Sequence, residues 1–142
     1  MDEFLTAELI GKSSRLLRNN LSLKLAIEKL GLSTEQWIIL QILAKGSKNQ
    51  KELGLITLKN KASINSLVSN LLKSSFVTKI ISKTDKRETI ISTTDIGNEI
   101  RKKANKIASI SINEALDGFL KDEVKQLNSF LNRINTNLLK KK

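Results

Sequence analysis

The chain contains no cysteine, no histidine and no proline. Without cysteine there is no disulfide and no thiol redox sensor. Without cysteine and histidine together, the usual zinc sites, Ser-His-Asp triads and imidazole acid–base chemistry also drop out. Carboxylates alone could still hold a hard cation, but the 14 acidic residues are scattered. Lack of proline means that no helix is kinked or broken by that residue. Long apolar runs are missing as well: nothing approaches the roughly 20 apolar residues that a membrane-spanning helix needs. The acidic start, Met1-Asp-Glu-Phe4, does not read as a signal peptide. These absences predict a soluble, cytoplasmic protein with no membrane partner and no cofactor. No nucleophile–base pair, glycine-rich phosphate loop or metal cluster is visible, so an enzyme is not expected.

What the chain does have is positive charge. Its 142 residues, enough for one ordinary domain with a real core, carry 25 Lys and Arg for a net charge of +11. The excess is uneven. Met1 to Ala44 is balanced, five basic residues against five acidic. Lys45 to Thr93 holds ten against three, and the remainder ten against six. A localised basic surface is the electrostatic footprint of a phosphate-binding face, although lysine also serves solubility.

Apolar periodicity supplies the elements. Leu9, Leu16, Leu23 and Leu30 recur every seven residues, with Leu5 and Ile27 between, which predicts one helix from Phe4 to Leu30 ending at Gly31. Ser33 with Gln36 forms a capping box for the next helix, and Leu32 with Trp37 a hydrophobic staple. That helix carries Ile38, Leu40 and Leu43. Asn49 and Glu52 repeat the capping logic for a short helix whose buried side is read as Leu53, Ile56 and Leu58. Near the C-terminus, Thr94 caps a helix marked by Ile96, Ile100, Ala104 and Ile107, ending near Gly118. Leu120, Val124, Leu127, Leu131, Ile134 and Leu138 then alternate steps of four and three. Two heptad seams at opposite ends of one small domain predict a helical homodimer interface. The alternative is that they pack only on each other.

The stretch from Lys61 to Thr94 organises the rest. Asn60 caps a helix with Ile64, Leu67, Val68, Leu71 and Leu72 on one face. Off that face lie Ser63, Asn65, Ser66, Ser69, Asn70 and Lys73. Serine and asparagine cost helix propensity, but their short polar side chains permit close approach to a groove and hydrogen bonds to base edges or phosphates. A solvated face without function is the bland reading. Phe76–Ser82 and Thr89–Thr93 then read as antiparallel strands joined by a basic tip, Lys83-Thr-Asp-Lys-Arg-Glu88. Helix plus basic ribbon is the layout of a winged helix-turn-helix that grips DNA.

The wing carries a specific match: Asp85-Lys-Arg87 at the tip, a strand through Ile91, then Thr94 and Gly97. With this spacing, with the link Leu71-Leu-Lys-Ser-Ser-Phe-Val77 and with the helix order, nearly the whole chain resembles the MarR family of bacterial transcription regulators. The resemblance implies a mainly α fold with a small antiparallel β-wing and terminal dimerisation helices. Residues 1–30 would be a dimerisation helix, 31–97 the winged lobe, and 98–142 further dimerisation helices in one intertwined domain. It implies a recognition helix at about 61–75 in the major groove and a wing at about 77–93, with Arg87 in the minor groove and Asp85 orienting the tip. Candidate DNA contacts are Lys51, Lys59, Lys61, Ser63, Asn65, Ser66, Ser69, Lys73, Asp85, Lys86 and Arg87. By the same resemblance, a small aromatic or anionic effector would enter between the first, second and fifth helices, with Arg15, Arg18 and Trp37 as candidate lining.

The chain departs from the family pattern. Asn65-Ser66 stands where a Thr-Arg pair is usual, Thr93 replaces a Leu, and Ser74-Ser75 replaces a stretch ending in Gly. No arginine lies in Lys61–Ser75, which removes the commonest bidentate contact to guanine and predicts A·T-rich sites. The expected function is a dimeric, nucleoid-associated repressor binding double-stranded DNA at an inverted repeat. The alternatives are a low-specificity architectural DNA-binding protein, such as the SarA-like relatives of the same fold, and a winged helix used for protein contacts.

Overall fold

The computed structural model describes residues 2–85 and 87–140. In chain order the elements are α1 (Leu5–Ile27), α2 (Thr34–Leu43), β1 (Lys48–Asn49), α3 (Gln50–Thr57), α4 (Lys61–Lys73), β2 (Val77–Ile81), β3 (Thr89–Thr93), α5 (Asp95–Ala115) and α6 (Lys121–Leu139). The fold is mainly α with a three-stranded antiparallel sheet in the order β1-β3-β2. β2 and β3 pair from Val77↔Thr93 to Ile81↔Thr89, so the hairpin matches the β-branched runs. The two-residue strand β1 joins Lys48 to Ile91 and Asn49 to Ile90. Two residues carry no alternation to read, so nothing in the sequence pattern marks this strand.

The chain groups into two compact units, one running to Ser111 and one from Ile112 onward. In the first, Leu21 and Leu25 of α1, Ile39, Leu40 and Leu43 of α2, Leu53 of α3, and Ile64, Val68 and Leu71 of α4 form a continuous core. Val77, Ile91 and Ala104 complete it from the sheet and α5. Burying each of the Val, Leu and Ile side chains contributes about 1.5–3 kcal/mol. In the second unit, Gly118 turns the chain at φ +81°, and α6 begins with the Leu120 N–H donating to Glu123 Oε1 at 2.8 Å. None of the α6 side chains is buried.

Several expectations need correction. α1 ends at Ile27, not Leu30: Lys29 takes the left-handed conformation (φ 53°) and its N–H bonds the Ala26 carbonyl, so the helix closes before Gly31 is reached. Ile39, not Ile38, is the fully buried isoleucine of α2. Ile56 and Leu58 are exposed, because Leu58 leaves α3 in the left-handed region (φ 59°) and only Leu53 faces inward. Ile96 is exposed in the first turn of α5. No correction attaches to the α1 seam, where Leu9, Leu16 and Leu23 are 54, 58 and 64% exposed and the core side is Leu21 and Leu25.

Both capping boxes form. Ser33 accepts from the Gln36 N–H while Gln36 bonds back to the Ser33 N–H at 2.9 Å, and Asn49 with Glu52 does the same. α4 runs from its Asn60 cap to Lys73 as expected, and ends in a Schellman motif. Phe76 N–H bonds the Leu71 carbonyl and Ser75 N–H the Leu72 carbonyl, both at 3.0 Å. The left-handed residue in that motif is Ser75 (φ 62°), the position where the family pattern places glycine.

The chain leaving α4 then crosses the start of α5. Thr94 N–H donates to the Phe76 carbonyl at 3.1 Å, and Thr94 Oγ1 donates to the Ser75 carbonyl at 2.6 Å. The same Oγ1 accepts the Gly97 N–H at 3.0 Å, so Thr94 is the cap. A Cβ on Gly97 would lie 2.0 Å from the Phe76 carbonyl oxygen, which explains glycine there sterically.

Two opposite outcomes follow. Gly97→Ala is expected to cost about 3 kcal/mol or more, since the obstacle is backbone rather than a movable side chain. Ser75→Gly is expected to stabilise by about 0.5–1 kcal/mol by relieving a left-handed non-glycine residue. Urea unfolding of both variants measures each.

Candidate nucleic-acid interface

The outward face of α4 follows from its inward one. With Ile64, Val68 and Leu71 buried, Asn65, Ser66, Ser69 and Asn70 are exposed on the opposite side. Lys61 and Lys73 are exposed at its two ends. Asn60 Oδ1 accepts the Ser63 N–H at 2.8 Å, so Ser63 sits half-buried in the capped first turn rather than on the open face. Lys51 is exposed in the first turn of α3 and Lys59 is half-buried in the turn before α4. Gly54 allows the two helices to meet there: a Cβ on it would stand 3.2 Å from the Lys59 carbonyl oxygen. Asn65 is not solitary. Its Oδ1 accepts from the side-chain amide of Gln50, the first residue of α3.

The wing tip is held by its own polar groups. Ser82 N–H bonds the Glu88 carbonyl at 2.9 Å, closing the loop, and Glu88 N–H bonds the Asp85 carbonyl at 3.0 Å. Buried Ser82 Oγ accepts from the N–H groups of Thr84 and Asp85, both at 3.3 Å. Asp85 Oδ1 accepts the Arg87 N–H at 3.0 Å, a turn in which the carboxylate fixes the backbone that carries Arg87. The Arg87 side chain is exposed. Lys86, also a candidate contact, lies outside the described residues.

Asn49 ties this wing to the helices. It caps α3 through its Oδ1, pairs with Ile90 through β1, and donates its Nδ2 to Glu88 Oε1 at the base of the tip. Ser47 and Ser92 share a further hydroxyl bond across the same strands. Sequence reasoning finds the cap but not the link to Glu88, which spans 39 residues with no periodic signal.

The three effector candidates are placed differently. Arg18 Nη1 pairs with Glu35 Oε1 at 2.8 Å, joining α1 to the start of α2. Trp37 Nε1 donates to Asn105 Oδ1 of α5 at 2.8 Å, a partner that no spacing in the sequence indicates. Arg15 is exposed on α1. The structure therefore engages two of the three in contacts between helices. The Arg18–Glu35 pair is largely solvated and is worth at most about 1 kcal/mol.

Comparison with known proteins bears on this arrangement. The profile of the family described as transcriptional regulator SarA/Rot matches residues 22–105, from the last turns of α1 through the wing into α5. The chain belongs to the SarA/Rot family. The family is one of transcriptional regulators, not enzymes. Comparison with curated protein sequences returns no match.

Solved structures extend the likeness to the fold of nearly the whole SarA/Rot-family chain. A MarR-family transcriptional regulator from Rhodococcus sp. RHA1 superposes with a TM-score of 0.85 at 17% identity, covering 94% of each chain. BldR from Sulfolobus solfataricus gives 0.84 at 19% identity, covering 96% of this chain and 99% of its own. A cysteine-to-serine mutant of E. coli MarR complexed with operator DNA gives 0.82 at 18% identity, covering 94% and 99%. The expected MarR-type winged-helix fold is thus present. Among the described residues no helix is long and apolar enough to cross a membrane.

Asn49→Ala removes a cap and the tie to Glu88 together. It is expected to lower stability by about 1–2 kcal/mol, read by urea unfolding at constant m-value.

Proposed function

We propose that this SarA/Rot-family protein is a homodimeric repressor that binds an inverted repeat in double-stranded DNA and occludes a promoter. The observation carrying the reading is the pairing of one exposed polar face with one exposed basic tip. α4 offers Asn65, Ser66 and Ser69 between Lys61 and Lys73, and the wing offers Arg87 on a backbone held by Asp85. In this reading α4 enters the major groove and Arg87 the adjacent minor groove. Lys51, Lys59, Lys61 and Lys73 meet phosphates, which positions the protein without reading sequence. Ser63, half-buried, contributes through the helix start. Lys86 adds charge beside Arg87 in the sequence.

Dimerisation through residues 1–30 and 98–142, with 31–97 as the reading lobe, is supported by apolar surface left exposed at both ends. Leu9, Leu16 and Leu23 on α1 and Leu127, Leu131 and Leu138 on α6 repeat at helical spacing. Release by a small aromatic or anionic effector near Arg15, Arg18 and Trp37 is the finer part of the proposal. Such a compound would compete with the Glu35 and Asn105 partners. A nucleoid location in the cytoplasm follows from DNA binding.

A second reading, low-specificity architectural binding, is favoured by one observation: no arginine lies in Lys61–Ser75. Both readings predict steep salt dependence, but only the repressor predicts strong preference for one site.

Selection from a random duplex pool at near-physiological salt decides between them. The repressor reading expects an enriched A·T-rich inverted repeat with half-sites about one helical turn apart. Retention without a motif supports the architectural reading, and no retention at low salt points to a protein partner. On the retained DNA, Arg87→Ala is expected to weaken binding by about 1–3 kcal/mol. Unchanged affinity would remove the wing from the interface.

A further inference from the structure

We propose that Gln50 and Asn65 act as one composite reader of adenine in the major groove, with Gln50 a specificity-determining residue. This rests on the DNA-binding reading above and deepens it. The two residues stand 15 apart, on different helices, yet their side-chain amides are joined: Gln50 Nε2 donates to Asn65 Oδ1. The bond lies at the solvent side of the pair α3 and α4, on the polar face that α4 presents outward.

The chemistry follows from what the bond consumes. A lone amide offers both a donor and an acceptor and can rotate to suit many partners. Here the Asn65 oxygen is already engaged. Of the amide atoms outside the bond, Asn65 Nδ2 can only donate and Gln50 Oε1 can only accept. The major-groove edge of adenine presents the complement, an acceptor at N7 and a donor at N6. Guanine presents two acceptors, N7 and O6, and so offers the Gln50 carbonyl oxygen no donor. Thymine presents an acceptor beside a methyl group, and cytosine a donor alone. The pair thus reads adenine with two side chains where a single asparagine or glutamine usually suffices. Joining them before contact also removes rotamer freedom that two separate exposed amides would lose on binding.

The bond has little to do for the fold. The cap of α3 is made by Asn49 and Glu52, without Gln50. The core side of α4 is Ile64, Val68 and Leu71, without Asn65. Replacement of either amide therefore leaves a folded protein on which base preference can be measured.

The test uses the full-length protein and the operator recovered from the random pool. Each position of a half-site is substituted in turn with the other three base pairs. Competition binding at fixed salt is then measured for wild type, Gln50→Ala, Asn65→Ala, the double variant and Asn65→Asp. The wild type is expected to prefer adenine by about tenfold or more at one position of each half-site. Both single alanine variants are expected to flatten that same position, and the double variant to flatten it no further. Asn65→Asp keeps the acceptor for Gln50 but loses the donor, so preference at that position is expected to move from adenine toward cytosine.

The proposal is overturned if Gln50→Ala leaves the adenine preference intact, if the two singles act at different positions, or if their effects add in the double variant. Wild type that holds duplex without any base preference overturns it while leaving DNA binding in place. Wild type that holds no duplex removes the parent reading and this one with it.

Discussion

Three hydrogen bonds through the N–H and hydroxyl of Thr94 join the elements that meet there. Its N–H and hydroxyl reach the carbonyls of Phe76 and Ser75, just past the end of α4 and before β2. Its oxygen receives the Gly97 N–H that opens α5, while Thr93 beside it closes β3. The crossing is tight enough that a single methyl group on Gly97 has no room. Helix α4 can hold a fixed attitude toward the wing because its exit and the return of the hairpin are pinned to one another here. The buried residues of α4 and the sheet set how far apart these parts sit, and Thr94 sets their rotation.

That crossing also explains which parts of the fold were legible. Thr94 could be picked out as a cap because that role is local, and Gly97 through its place in the family pattern, whose steric reason is the carbonyl that passes there. The two capping boxes and the face of α4 were legible for the same reason, as each is written within one turn or one helical period. Interactions between distant segments were not. Asn49 with Glu88, Trp37 with Asn105, and Gln50 with Asn65 join residues whose separations follow no periodicity. Ile56, Leu58 and Ile96 depart from the pattern for one reason: their apolar character points inward, whereas helix ends and a left-handed residue turn them outward.

The two apolar seams illustrate how far pattern alone can go. Their heptad spacing was evident in the sequence, and the structure leaves Leu9, Leu16 and Leu23 of α1 exposed rather than using them in the core. Leu21 and Leu25, offset from that seam, do the packing instead. One helix thus carries two apolar faces. Only the face that meets the core is accounted for by the folded chain itself.

Asn49 has a consequence for how such a protein can change over generations. One side chain and its backbone serve a helix cap, a strand pair and the base of the wing. A substitution of the side chain removes the cap and the tie to Glu88 together, while the backbone pairing with Ile90 stays. Lys51, two residues on, is exposed and serves none of them. Surface charge can therefore drift in small steps at such lysines, while a change at Asn49 loosens the end of α3 and the base of the wing in one step.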